Sequence, residues 1–438
     1  MSVISKLLDI GWEPNAPRWK GSTIETRDGY DLAIVEFDDQ GWYHDTAAQD
    51  ALARYLDSER CENLTIIVFI HGWRHNAAAD DSNLLAVRTL LRDSVENERA
   101  GPTPRRVFGV YLAWRGLSLR GLASYGTFWT RKDAAFRVAV GSVREVLAAL
   151  RRHQRDRNAE LTEDDVESGS GTRLVLVGHS FGGLILYSAV AEYMIDSVIR
   201  PKRRVVRPFG DLVILVNPAF EATRYQPLVT AALARGGFPP DQRVCFIAVT
   251  ATNDEATRIA FPLGRWFGTR FEATRRGAYP GLPREAQRDA NLKTIGHLSW
   301  LTTHRLTAPD GANAALLEKF DGGWRPVLAE EDAAFGAFNA RFRPGGILQE
   351  GWRRDYTSGA SLEHVAGNPA NPFWVVEASR EIIDGHNGIF GVVFLNFLRQ
   401  LCDDRLRRKL RTQVQAQSNG SSGKPFGDRD TSNSPMSV

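Results

Sequence analysis

The stretch RLVLVGHSFGGLILYSAV, Arg173 to Val190, sets a serine between glycines at the point where an apolar run changes its period. RLVLV reads as a strand, and GLILYSAVAEYMI from Gly183 reads as a helix. A chain that passes from strand to helix within a residue or two must turn sharply. Glycines at 178 and 182 leave the room such a turn needs, and Gly183 lets the helix approach the strand. Ser180 is therefore read at the apex of a strained turn. A turn can hold an inert serine, so further groups are needed before chemistry follows.

Outward from this stretch, strand-like runs alternate with helix-length amphipathic segments. This is the pattern of an α/β fold, a mostly parallel central sheet with helices on both faces. Upstream, YDLAIVEFDDQG (Tyr30 to Gly41) gives a first strand, NLTIIVFIHGW a buried strand over Leu64 to Ile70, and RVFGVYLAW a strand over Arg106 to Trp114. DDSNLLAVRTLLRDSVENER is a helix opened by an Asp/Ser cap, and RKDAAFRVAVGSVREVLAALRRHQRDR a single long helix. Downstream, DLVILVNPAF and RVCFIAVTATND supply two more strands around a helix in EATRYQPLVTAALARGG. Over 255–371 the alternation stops in a Trp-, Gly-, Pro- and Arg-rich stretch, read as a large insertion before the last strand. PFWVVEAS provides that strand at Phe373 to Ala378, a helix follows to about Thr412, and the polar, Gly/Ser-rich tail 412–438 reads as disordered.

Composition narrows the class. With 438 residues, 43% of them hydrophobic, the chain can bury a substantial core. Its three cysteines, Cys61, Cys245 and Cys402, are odd in number and form no disulfide framework. A net charge of +3, with arginines interspersed among acids, does not point to nucleic acid. The basic run RPKRRVVRP from Arg200 reads as a solvated connection. No secretory signal is read at the N-terminus, and the apolar run GIFGVVFLNFLRQL from Gly388 falls short of the roughly 20 residues a bilayer span needs. The expectation is a cytoplasmic protein without a transmembrane segment.

The elbow Gly178-His179-Ser180-Phe181-Gly182, with the order of elements around it, resembles the α/β-hydrolase superfamily of serine hydrolases, lipases and esterases. The resemblance covers about Tyr30 to Arg411, the insertion excepted, and makes 1–411 one catalytic domain. It implies a chain order of nucleophile, acid and histidine, with an oxyanion loop two strands before the elbow. A serine hydroxyl is a poor nucleophile near neutral pH, so a base must take its proton. In such folds the base follows the last strand, where His386 stands in IIDGHNG; His297 in TIGHLSW is the alternative. The acid must orient the imidazole and stabilise its cation. Asp254 after CFIAVTATN is the first candidate, then Glu255, then Glu221 after NPAF, while Asp384 reads as a turn residue. The oxyanion donors implied are the backbone amides of Phe181 and Trp73, with His71 and Gly72 shaping a single-glycine HGW loop. That loop departs from the HGGG form of esterases that accept crowded alcohols. The insertion departs too, since lids in this superfamily more often precede the acid strand.

Other chemistries fit less well. His71 and His75, with Asp80 and Asp81, run from a strand end into a loop, and no HExxH occurs, so no metal is implied. GHSFGG lacks a P-loop lysine and a dinucleotide spacing, so no cofactor is implied. Trp266, Trp300, Trp324 and Trp352 either line an acyl pocket or form the core of the insertion. The expected function is a serine hydrolase cleaving a carboxylic ester or related acyl bond of a small-molecule or lipid-like substrate through an acyl-enzyme. The alternative is an inactive scaffold serving as a binding or assembly module.

Overall fold

The computed structural model describes residues 18–406 except 59, 60, 62, 102, 117–127, 163, 164, 166–169, 201–204, 240, 241, 269–283 and 343–348. The tail 412–438, the N-terminal stretch to residue 17 and part of the basic run after Arg200 lie outside the described residues.

Eleven described strands form one sheet: β1 (Ile24–Thr26), β2 (Tyr30–Phe37), β3 (Leu64–Ile70), β4 (Arg106–Trp114), β5 (Arg173–His179), β6 (Leu212–Val216), β7 (Phe246–Ala251), β8 (His304–Thr307), β9 (Arg353–Asp355), β10 (Ser361–His364) and β11 (Phe373–Ala378). Their spatial order is β1-β2-β4-β3-β5-β6-β7-β11-β8-β10-β9. Pairing is parallel from β2 through to β8, and antiparallel for β1 against β2 and for β10 against both β8 and β9. The architecture is α/β, of the α/β-hydrolase type.

Interior parallel strands are covered on both faces, which is why β3, β6, β7 and β11 read as nearly continuous apolar runs. One face packs α1 (Ala47–Leu56), α3 (Phe128–Val140), α4 (Val143–Arg157), α5 (Phe181–Ile199) and α6 (Gln226–Arg235) against Ile66, Val68, Leu176 and Leu215. The other packs α2 (Ser82–Ala100), α9 (Ala312–Asp321) and α11 (Val392–Leu406) against Phe69, Ile214, Val249 and Val376. Between them in sequence lie α7 (Phe261–Gly268), α8 (Arg284–Leu292) and α10 (Trp324–Phe342). Helix α5 has the length and apolarity to cross a bilayer, but it lies against the sheet with α3, α4 and α6 around it. A helix wrapped by protein is apolar all round.

Two local features differ from the sequence reading. The single long helix expected over 131–157 is broken into α3 and α4 at Gly141. There the backbone meets Gly41 so closely that a Cβ on Gly141 would lie 2.4 Å from the Gly41 carbonyl oxygen, and the Ser142 amide donates to that oxygen at 2.8 Å. Segment 255–371 also contributes β8, β9 and β10, which continue the sheet past β11. Their sequences HRLT, RRD and SLEH are too short and polar to announce strands.

Strand order reverses beside β3: the chain leaves it to one side for β4 and returns on the other as β5. In open α/β sheets the crevice at the carboxyl ends of such strands is where ligands bind. The close approach there is steep, since a Cβ on Gly182 would sit 2.0 Å from the Ile70 carbonyl oxygen, whereas one on Gly183 would meet nothing nearer than the Pro218 Cβ at 3.2 Å and the Gly178 carbonyl oxygen at 3.3 Å. Gly182→Ala is expected to destabilise the fold by about 2 kcal/mol or more through overpacking against rigid backbone. Gly183→Ala should fall within about 1 kcal/mol of wild type, because gained helix propensity offsets the crowding. Urea unfolding midpoints of the two variants check this, and equal midpoints would contradict it.

Candidate active site

Ser180 sits between β5 and α5 with φ 56° and ψ −118°. A non-glycine residue held at positive φ costs roughly 1–3 kcal/mol and persists only where the surroundings over-determine it. Here the Ser180 amide donates to the Val216 carbonyl at 3.0 Å, and its own carbonyl accepts from Gly183 at 3.0 Å and Ala219 at 3.1 Å. The hydroxyl Oγ lies 2.9 Å from His386 Nε2, and His386 Nδ1 lies 2.9 Å from Asp254 Oδ2. Three residues separated by 132 and 206 positions are thus joined in one hydrogen-bonded line. A carboxylate only accepts, so Nδ1 carries the proton and Nε2 is left to accept from the serine hydroxyl. Asp254 is fully buried, while the His386 side chain keeps 20% of its surface open to the rim. Burial pushes the Asp254 carboxyl up, but hydrogen bonds from His386 and Thr257 more than offset it and hold the group below its usual range.

The loop carrying His386 is held by residues the sequence reading did not single out. Asn217, buried and at φ 45°, donates to the carbonyls of Gly385 at 3.1 Å and His386 at 2.8 Å, and accepts from the Ala251 amide at 2.9 Å. His179 Nε2 donates to the same His386 carbonyl at 2.9 Å, which fixes its tautomer, and burial drives its pKa well below the ordinary value. Asn253 clasps the loop from the β7 end, donating to Asp384 at 2.8 Å and accepting from the Gly385 amide at 3.0 Å. A polar residue closing an apolar strand, as in LVNP and TATND, was the available signal.

After β3, Gly72 lies so close to Ser180 that a Cβ there would stand 2.7 Å from the serine Cβ. This brings the backbone entering Trp73 beside the serine. Phe181 opens α5, where backbone N–H groups have no intrahelical acceptor. The Trp73 ring meets Phe128 edge-on at 5.1 Å, and Phe128 tilts onto Phe181 at 4.8 Å. His71 is fully buried: the Trp114 amide donates to Nε2 at 3.1 Å, so Nδ1 carries the proton and donates to the Gly72 carbonyl at 2.9 Å. Both ring nitrogens shape the loop, and burial holds the imidazole at a pKa of about 4. His75 faces Asp81 at 3.2 Å, and Asp81 also caps α2 through the Asn83 amide. The pair braces the loop after β3.

The remaining candidates lie elsewhere. Glu255 is exposed, and Asp384 meets Asn253 and Arg380 at the surface. Glu221 is buried in an ion-pair cluster with Lys132, Arg224 and Arg265, whose charges hold its carboxyl low against the opposing effect of burial. His297 reaches Asp254 only through Thr257. Trp352 is core beside His304, Phe338 and Trp374; Trp324 packs at a tilt on Phe320; Trp300 packs on the first core; Trp266 is exposed.

Fold and site together set a serine, a histidine and an aspartate in one hydrogen-bonded line at the carboxyl edge of a mostly parallel α/β sheet. No protein-family model and no curated protein sequence matches the chain. Among solved structures, phospholipase PlaB from Legionella pneumophila in complex with thio-NAD is similar at 14% identity and a TM-score of 0.25, over 57% of this chain and 47% of that one. The chain therefore spans about half the length of that protein.

Burial lowers His71 and His297 to about 4 in the folded chain, while unfolded histidine titrates near 6.5. The stability owed to keeping them neutral is fully present above about pH 6.5 and is lost as pH falls toward 4, on the order of 2 kcal/mol for each by pH 5. Asp254 works in a lower window, since its depressed carboxyl loses its contribution only below its usual value of 3.8. Urea midpoints should fall steadily from pH 6.5 to 4.5 at constant m-value, and a flat profile would count against these buried neutral imidazoles.

Proposed function

We propose that the chain is a serine hydrolase that cleaves a carboxylic ester or related acyl bond through an acyl-enzyme. The observation that carries this reading is the unbroken line Ser180 Oγ, His386 Nε2, His386 Nδ1, Asp254 Oδ2, with both contacts at 2.9 Å. Ser180 Oγ attacks the carbonyl carbon while its proton passes to His386 Nε2, and Asp254 stabilises the resulting imidazolium. The carbonyl oxygen takes up negative charge, and the Trp73 and Phe181 amides are the donors assigned to it. Collapse breaks the bond to the alcohol or thiol, which leaves with the proton from His386. Water, deprotonated by His386, then attacks the acyl-serine and releases the acid. The chain's own side chains and water balance each step, and the reading calls for no cofactor.

The aromatic wall of Trp73, Phe128 and Phe181 beside the serine supports an apolar, lipid-like acyl group as substrate. A cytoplasmic setting fits the free thiols of Cys61, Cys245 and Cys402. In this reading residues 1–411 act as one catalytic unit with 255–371 inserted.

A fluorophosphonate probe is expected to label the protein at Ser180, with labelling and aryl-ester turnover lost by about 10⁴-fold or more in Ser180→Ala and His386→Ala. Folded wild-type protein that takes no label and turns over no aryl ester of any chain length would favour the inactive scaffold. Gly72→Ala should cut kcat by about 100-fold with the near-UV CD spectrum intact, because its methyl must displace either the nucleophile or the oxyanion loop. Unchanged kcat would remove this loop from the site.

A further inference from the structure

We propose that Thr257 and His297 are positioning residues for the reaction, extending the Ser180–His386–Asp254 line into a five-residue hydrogen-bonded chain that fixes the Asp254 carboxylate. The inference rests on the hydrolase reading above and deepens it. Thr257, three residues past the acid and 1% exposed, donates its hydroxyl to Asp254 Oδ2 at 2.5 Å and its amide to Oδ1 at 3.2 Å. The same hydroxyl oxygen lies 2.8 Å from His297 Nε2.

Proton counting fixes every direction in the chain. A hydroxyl has one proton, and an ionised carboxylate has none, so the Thr257 proton points to Asp254. His297 must then supply the other proton, as Nε2–H donating to Thr257 Oγ, in the neutral imidazole. Asp254 Oδ2 therefore receives two donors, His386 Nδ1 from one side and Thr257 from the other. Two donors at one oxygen leave the carboxylate little freedom to rotate away from the imidazole, and they stabilise the charge of a fully buried side chain.

Local structure favours this role over ordinary packing. Thr257 lies within a π-helical turn, Ala256–Ala260, a rare geometry that recurs at functional sites. Four residues separate that turn from the end of β7, so the acid and its donor are carried on one short segment. His297 comes from a separate 3-10 turn, Ile295–His297, held against β7 where Gly296 approaches Thr250 too closely for any side chain. The charged and titratable groups facing His297 are Asp254, Arg258, His386 and Lys293. Burial above all, then Arg258, His386 and Lys293, disfavours a second proton on the ring and outweighs the opposing charge of Asp254, so the imidazole stays a neutral donor through the working pH range.

The test compares Thr257→Val, Thr257→Ser, His297→Leu and His297→Gln in the full chain, with an aryl ester as substrate. Thr257→Val keeps the shape and removes the donor. It is expected to lower kcat by about 10- to 100-fold with KM within about twofold. It should also move the acid limb of the kcat/KM profile to higher pH, because a carboxylate with one donor fewer attracts the His386 imidazolium more strongly and so favours protonation of that base. Thr257→Ser should restore both. His297→Leu should shift both quantities in the same direction by less, and His297→Gln, which can present a donor where Nε2 stands, should lie near wild type. The downfield proton resonance between His386 and Asp254 should move in Thr257→Val and stay in Thr257→Ser, a signature that needs no turnover. Wild-type kcat, acid limb and resonance in both Thr257→Val and His297→Leu would overturn the inference. So would losses that follow thermal stability alone, with the profile and the resonance unmoved. Turnover that survives in Ser180→Ala would instead overturn the hydrolase reading, so the two failures are distinct.

Discussion

The backbone of the strand-to-helix turn passes the end of β3 with no room for a side chain, and the site is assembled around that crossing. Gly182 faces the Ile70 carbonyl, Gly178 faces the Gly182 carbonyl, and a Cβ at either would lie within 2.6 Å of backbone oxygen. Only such contact lets α5 begin at once after β5, which forces Ser180 into positive φ and lifts its hydroxyl toward the sheet edge. The same closeness brings Gly72, in the loop after β3, against Ser180. Strain at this point is offset by the burial of α5, whose Leu184, Ile185, Leu186 and Val190 are fully covered. A local conformational cost of roughly 1–3 kcal/mol is small against several large side chains each contributing roughly 1.5–3 kcal/mol.

The described non-glycine residues at positive φ are Arg74, Ser180 and Asn217. They follow β3, β5 and β6, three strands adjacent in the sheet. Each turns the chain sharply at the carboxyl edge: Arg74 just past Gly72 and Trp73, Ser180 with its hydroxyl on His386, and Asn217 with the amide that clamps the His386 loop. The clamp matters because the imidazole is otherwise held only through its own ring nitrogens. Asn217 and His179 fix the main chain behind it, so the ring is aimed by its backbone as well as by Asp254.

How much of this could be read from the sequence follows from the range of each interaction. The elbow was legible because its constraint is local: glycines two residues from the serine, a strand before and a helix after. Asp254 and His386 were nominated by element order, and their mutual geometry was not, since it depends on the register of β7 against β11, which pairs Ala251 with Ala378. Thr257, Asn217 and Asn253 escaped notice because a threonine or asparagine past a strand end is usually a turn residue. The break at Gly141 was invisible for a similar reason, as its partner Gly41 lies a hundred residues away. Strands β8, β9 and β10 expose alternate residues and carry Arg, Asp, Glu and His, so no apolar run marks them.

Those three strands change the standing of β11. Without them β11 would be the edge of the sheet, and the loop carrying His386 would hang from a strand hydrogen-bonded on one side. With β8 parallel to it, β11 is paired on both flanks, Val376 to Val249 and to His304. Its row FWVVEA then packs as an interior strand, with Trp374 against His304 and Trp352 at ring separations of 4.3 and 5.7 Å. The new edge is β9, RRD, three residues long and charged, the type of edge that resists pairing with another chain. Segment 255–371 thus moves the vulnerable edge away from the site and makes the strand behind His386 an interior strand of the sheet. A histidine that must stay within hydrogen-bond reach of two partners, on segments 132 and 206 residues away, is best carried by such a strand.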